Sequence, residues 1–108
     1  MGADQHDRDA RPIVRVLAAL SDENRFRIVA YLASEEEDAT CGAIGDALGL
    51  SPSLLSHHLG ILEEAGVIER RKNGLWTMNG LRRSVLAQHL STLQSLLDAD
   101  TPPTQAAS

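Results

Sequence analysis

A mainly α-helical domain carrying one small β-hairpin is predicted, on three observations. Apolar residues recur at helical steps of three and four over most of the chain, and the period shortens to two only after Gly66. The sole Phe, Tyr and Trp leave a core of Leu, Ile, Val and Ala, which suits packed helices. Helix start and stop signals punctuate the sequence, most clearly Ser51-Pro52 at one end of a periodic stretch and Gly66 at the other. With 108 residues and 43% hydrophobic content, there is room for one core and one domain, expected over residues 11–98.

Residues 1–10 alternate charges without an apolar period and read as a flexible arm. From Pro12 a first helix places Ile13, Val16, Leu17 and Leu20 on one stripe and turns Arg15 outward. Ser21 is expected to cap a second helix. Asp22 and Glu23 occupy its first turn, Phe26, Val29 and Leu32 face inward, and Arg25 and Arg27 lie at the surface. Residues 34–38, a serine followed by four acids, interrupt the pattern, after which Thr40 can cap a short helix of small residues ending at Gly49.

Residues 51–66 form the most fully specified element. Ser51 can accept from a first-turn amide, Pro52 has no amide to leave unpaired, and Gly66 tolerates a left-handed stop. Leu55, Leu59 and Leu62 share one face, while Ser53, Ser56 and His57 share the other. A helix facing only water usually carries Glu and Lys. Short hydroxyls and an imidazole instead suit close approach to base edges and phosphates. Helix, glycine-containing turn and helix together make a helix-turn-helix, whose second helix enters the DNA major groove.

Asn73-Gly74 signals a two-residue hairpin turn with positive dihedral angles, so residues 67–78 form a two-stranded wing with Arg70, Arg71, Lys72 and Asn73 toward its tip. From Leu81 to Leu97 a fifth helix carries Leu86, Leu90, Leu93 and Leu97 on a stripe too wide for water alone. A second copy of the chain is the simplest partner, with Val16 of the first helix joining those four leucines at the interface. The Pro- and Thr-containing tail, residues 99–108, is expected to be disordered.

Charge and cysteine content narrow the function. The net charge of -5 argues against a nucleic-acid partner when taken alone, but acids gather at residues 35–38 and bases at residues 70–72, and local potential governs docking. Cys41, the single cysteine, has no internal disulfide partner and reads as a buried small hydrophobe. No apolar run approaches the roughly 20 residues of a membrane span, and the charged N-terminus is unlike a secretory signal, so a cytoplasmic location is expected. Catalysis is not indicated. Ser56 and His57 are sequence neighbours pointing in different directions on a helix, and no phosphate-cradling glycine motif or carboxylate pair is present.

Three stretches resemble the ArsR/SmtB family of bacterial winged-helix transcriptional regulators: LSDENRFRI at residues 20–28, ALGLS at residues 47–51 and SHHLGILEEAGVI at residues 56–68. The resemblance implies a homodimer that binds a pseudo-palindromic double-stranded operator and answers an effector, often a metal ion. By position, Ser53, Ser56 and His57 would contact DNA, Arg70, Arg71 and Lys72 would approach phosphates or the minor groove, and His58 would be partly structural. Thr40 and Gly42 stand where metal-sensing members carry Cys-x-Cys, and Leu75 stands where many have a basic residue. The last helix offers His89 without a second His or Glu three residues away. A non-standard nitrogen and oxygen site from His89 and His6 would suit nickel first, with zinc or cobalt as alternatives. The competing reading is a winged-helix interaction module whose effector response comes from a partner protein.

Overall fold

The computed structural model describes residues 2–100, with side chains from residue 11 to residue 98. Its elements are α1 (Gly2–Leu20), α2 (Glu23–Ser34), β1 (Ala39–Thr40), α3 (Cys41–Leu48), α4 (Pro52–Glu64), β2 (Ile68–Asn73), β3 (Trp76–Leu81) and α5 (Arg83–Asp100). The five helices and the wing agree with the predicted class. The expected arm differs: α1 begins at Gly2 and runs through Pro12. Between those two residues nothing breaks a helix, and Asp4, Asp7 and Asp9 lie toward the end where the helix dipole favours acids. Of the tail, residues 101–108 lie outside the described residues.

The core joins Val16 and Ala19 of α1, Ile28 and Leu32 of α2, Ile44 of α3, Leu55, Leu59 and Leu62 of α4, and Val67 and Ile68 at the entry to the wing. Two inward stripes are rotated from those expected. In α1, Ala19 is buried while Leu17 is exposed, and Val16, expected at a dimer interface, is consumed by this chain's own core. In α2 the inward stripe is Arg25, Ile28 and Leu32, and Phe26 stands 57% exposed.

Capping accounts for part of the change. Asp22, not Ser21, is the N-cap of α2 and accepts from the Arg25 amide at 3.0 Å, whereas the Ser21 hydroxyl donates back to the Ala18 carbonyl and closes α1. Arg25 can occupy an inward position because its donors find partners there: Nε reaches the Ala19 carbonyl at 2.8 Å.

The sheet has a third strand that the sequence does not announce. Strand order is β1-β3-β2, all antiparallel, with Ala39 opposite Asn79 and Thr40 opposite Met78. At two residues, β1 is too short to show a period. The hairpin register also differs by one residue: Asn73 pairs with Trp76, so the loop is Gly74-Leu75. Gly74 has φ 68°, and among the described residues no residue other than glycine has positive φ. This is the pattern of a type II′ turn, with glycine first, and it moves Asn73 out of the turn and into the strand.

Removing the Leu59 side chain from the fully buried side of α4 is expected to cost about 2–5 kcal/mol in chemical denaturation. Leu54→Ala, on the exposed side, should cost less than about 0.5 kcal/mol. Equal losses would mean that the assigned faces are wrong.

Candidate nucleic-acid interface

The turn into α4 is held by local chemistry. Thr40 Oγ1 accepts from the Ala43 amide at the start of α3, and Gly49, at φ 71°, donates its amide to the Gly45 carbonyl at the end. Gly45 must remain small, since a Cβ there would lie 3.1 Å from the Leu50 carbonyl oxygen. Ser51 Oγ then accepts from the Leu54 amide at 3.3 Å, and Pro52 opens α4. The resulting helix buries Leu55, His58, Leu59 and Leu62 and leaves Ser53, Leu54, Ser56 and His57 exposed. All three polar residues expected to meet DNA thus share the open face.

Two adjacent histidines have opposite fates. His57 points to solvent; His58, only 6% exposed, turns inward. Its Nδ1 lies 3.3 Å from Arg25 Nη1, whose guanidinium can only donate. Asp22 Oδ2, at 3.9 Å from the same nitrogen, is an electrostatic neighbour rather than a hydrogen-bond partner. Arg27 fixes the preceding helix by donating to the terminal carbonyl of Leu48 and to Asn24 Oδ1. Arg25 and Arg27, expected at the surface, therefore orient the helix-turn-helix from behind.

The basic residues of the wing divide between two faces of the sheet, as the register requires. Arg70 lies on the side of α3 and α4. Its Nε donates to Asn79 Oδ1 at 3.0 Å and its Nη2 lies 3.8 Å from Cys41 Sγ. Asn79 is fully buried and donates to the Ala39 carbonyl, tying the wing to β1. Cys41, expected as a buried hydrophobe, is half-buried and accepts from both side chains. Arg71 lies on the opposite face, where Nη2 donates to Asp38 Oδ2 at 2.7 Å, a hydrogen bond that raises the guanidinium above its ordinary pKa. Lys72 and Asn73 are exposed toward the tip, and Leu75 is 99% exposed at it.

A cleft of about 310 Å³ lies between α3, α4 and Arg70 of the wing, with Ser56, Asp46 and Cys41 among its lining residues. It brings Pro52, Leu55 and Ser56 of α4 together with Arg70 of the wing. The sequence does not flag Asn79, Asp38 or Arg25 as determinants of this geometry. For Asn79 a signal existed, an amide within an otherwise hairpin-like strand.

The leucines expected at a dimer interface are graded along α5: Leu86 and Leu93 are half-buried, while Leu90 and Leu97 are exposed. His89 is half-buried on the same helix. The side chain of His6 lies outside the described residues. Among the described residues, no three His, Cys, Asp or Glu side chains gather to hold a metal ion, and His89 has no ligand set among them. No helix among them is long and apolar enough to cross a membrane.

An exposed polar face on the second helix of a helix-turn-helix, followed by a basic hairpin, defines the winged-helix class of DNA-binding regulators. A family model described as a helix-turn-helix domain matches residues 20–71. The chain is 33% identical over 85 residues to the arsenic resistance transcriptional regulator ArsR1 of Pseudomonas putida, a match covering 79% of this chain and 66% of that one. It is 30% identical over 83 residues to the transcriptional repressor SdpR of Bacillus subtilis, covering 77% and 90%. The fold recurs, at TM-score 0.71 and 23% identity over 92% of this chain and 90% of the other, in the solution structure of a homodimeric winged helix-turn-helix DNA-binding domain from Mycobacterium bovis. The chain belongs to the ArsR/SmtB family of transcriptional regulators. It spans about half the length of the arsenical- and cadmium-resistance relatives that it matches at higher identity.

The amide of Arg25 holds the Asp22 carboxyl below the usual carboxylate range, with the Arg25 and His58 charges acting in the same direction and desolvation opposing them. A carboxyl whose folded pKa is depressed contributes stability above its unfolded value and loses it as pH falls through the folded one. The melting-temperature gap between wild type and Asp22→Ala should therefore be constant around neutral pH and narrow below about 3.8. A gap unchanged in acid would show that the carboxylate charge does not matter to the cap.

Proposed function

We propose that this chain is a homodimeric, DNA-binding transcriptional repressor that lays α4 in the major groove and blocks a promoter. One observation carries this reading: Ser53, Ser56 and His57 are exposed together on a helix whose opposite face is locked into the core. Short side chains on a rigid helix can reach base edges without a large entropic cost. Arg70, across the cleft from Ser56, and the exposed Lys72 and Asn73 toward the wing tip would approach the phosphate backbone in this reading.

Dimerisation draws support from apolar surface that one chain leaves open. Val14 and Leu17 of α1 and Leu90, Leu96 and Leu97 of α5 are exposed, more than a solvated pair of helices requires. A second copy would cover them, and the Mycobacterium bovis domain of the same fold is homodimeric. Repression follows the relatives. A nickel response, or one to zinc or cobalt, through His89 and His6 would draw its remaining ligands from a second copy, since one chain supplies no cluster among its described residues. The alternative, an interaction module answering through a partner protein, draws on the net charge of -5 and on the internal engagement of Arg70 and Arg71.

Footprinting on the chain's own upstream region tests the main reading. Protected half-sites about one helical turn or a multiple apart are expected, and no protection at moderate salt would select the partner module instead. Replacing Ser56 and His57 together by Ala should weaken specific binding by about 1–3 kcal/mol per lost base contact while melting temperature and dimer mass stay unchanged. Equal affinity would remove α4 from the reading role.

For the metal, nickel titration calorimetry on wild type and His89→Ala should show binding only in the former. Identical heats would end that part of the proposal.

A further inference from the structure

Arg83, the first residue of α5, directs one guanidinium nitrogen at the end of another helix. Its Nη2 donates to the carbonyls of Leu32 at 3.3 Å, Ala33 at 3.0 Å and Glu35 at 3.2 Å. These belong to the C-terminus of α2, which has no basic residue in its own last turn. A cation in the first turn of α5 opposes that helix's dipole, whereas the same cation at the C-terminal end of α2 is favoured by the other. The side chain is thus placed for the junction between the two helices and not for α5 itself.

The other restraints described at that junction lie at the end of β3, where Leu81 pairs with Ile68 and packs on the core, and in the first turn of α5. The Arg82 amide donates to the Val67 carbonyl at 2.9 Å, and Leu86 packs against the core. Farther along, Leu90 and Leu96 are exposed. From residue 83 to residue 97 the helix extends about 21 Å, so a swing of about 10° at its root moves its far end by about 3.6 Å. That is close to the axial rise of one base pair, about 3.4 Å.

We infer that Arg83 is a positioning residue that sets the separation of the two reading helices in the dimer, and through it the half-site spacing of the operator. This rests on the dimeric DNA-binding reading given above. By fastening the root of α5 to the end of α2, it converts the angle of the dimerisation helix into a fixed distance between the two copies of α4.

The probe is a duplex selected from a random-sequence pool by the wild-type protein, remade with one base pair added or removed between its half-sites. Wild type should lose about tenfold or more in affinity at each change, because one base pair shifts a half-site by about 3.4 Å and turns it by about 34°. Arg83→Ala should remain dimeric and bind a single half-site as wild type does, yet vary by less than about threefold across the spacing series. Arg83→Lys keeps the cation but loses the planar fork, and should fall between the two.

If Arg83 merely stabilises the fold, both variants will melt earlier and keep the wild-type spacing profile, which overturns the inference. Should Arg83→Ala fail to fold, Arg83→Lys decides, and a wild-type profile in it has the same consequence. A wild-type protein that selects no paired half-sites overturns the dimeric DNA reading itself, and the inference with it.

Discussion

The orientation of the exposed polar face of α4 depends on how the helix is held from behind. Leu55, Leu59 and Leu62 drive its inner face into the core, but apolar burial alone has no direction and would tolerate some rotation of the helix. The contact between Arg25 and the buried His58 supplies the direction, because a guanidinium held at the Ala19 carbonyl can meet the imidazole nitrogen in few arrangements. Asp22 stands behind both as the cap of α2. The outward orientation of Ser53, Ser56 and His57 follows from contacts that none of them makes.

The wing shows a similar economy. Arg70 and Arg71 look alike in sequence, yet strand alternation puts them on opposite faces and gives them different partners. Arg70 belongs to a buried amide network through Asn79, which keeps the hairpin at a set angle to α3. Arg71 belongs to an exposed ion pair with Asp38, whose carboxylate lies against Gly80 where a Cβ would collide with it. An exposed pair of this kind contributes little stability. Of the three basic residues, Lys72 is the one exposed without an ion pair among the described residues.

Local signals in the sequence are read correctly where one residue type answers one backbone need. Thr40 and Ser51 as caps, Gly49 and Gly66 as left-handed stops, and Pro52 in the first turn all agree with the structure. Misreadings occur where a decision depends on distant partners. Phe26 was expected inward on hydrophobicity, and Arg25 took its place because a carbonyl of α1 and a histidine of α4 satisfy its donors. The hairpin turn lies one residue later, with Gly74 at φ 68° in its first position, and β1, invisible to any periodicity, adds a third strand beside β3. Residues 2–10 joined α1 because nothing in them breaks a helix, although nothing in their pattern demands one.

By itself, then, the chain's sequence determined the order of helices, the helix-turn-helix and its exposed polar face, and the family, because caps, glycines and apolar periods act within a few residues of themselves. Only the tertiary structure decided which arginines turn toward the core and which stay at the surface, that Val16 is spent inside the domain, and that Arg83 belongs to α2 as much as to α5. Those outcomes depend on carbonyls and imidazoles up to about fifty residues away along the chain. No local pattern encodes whether a distant acceptor will be within hydrogen-bonding reach.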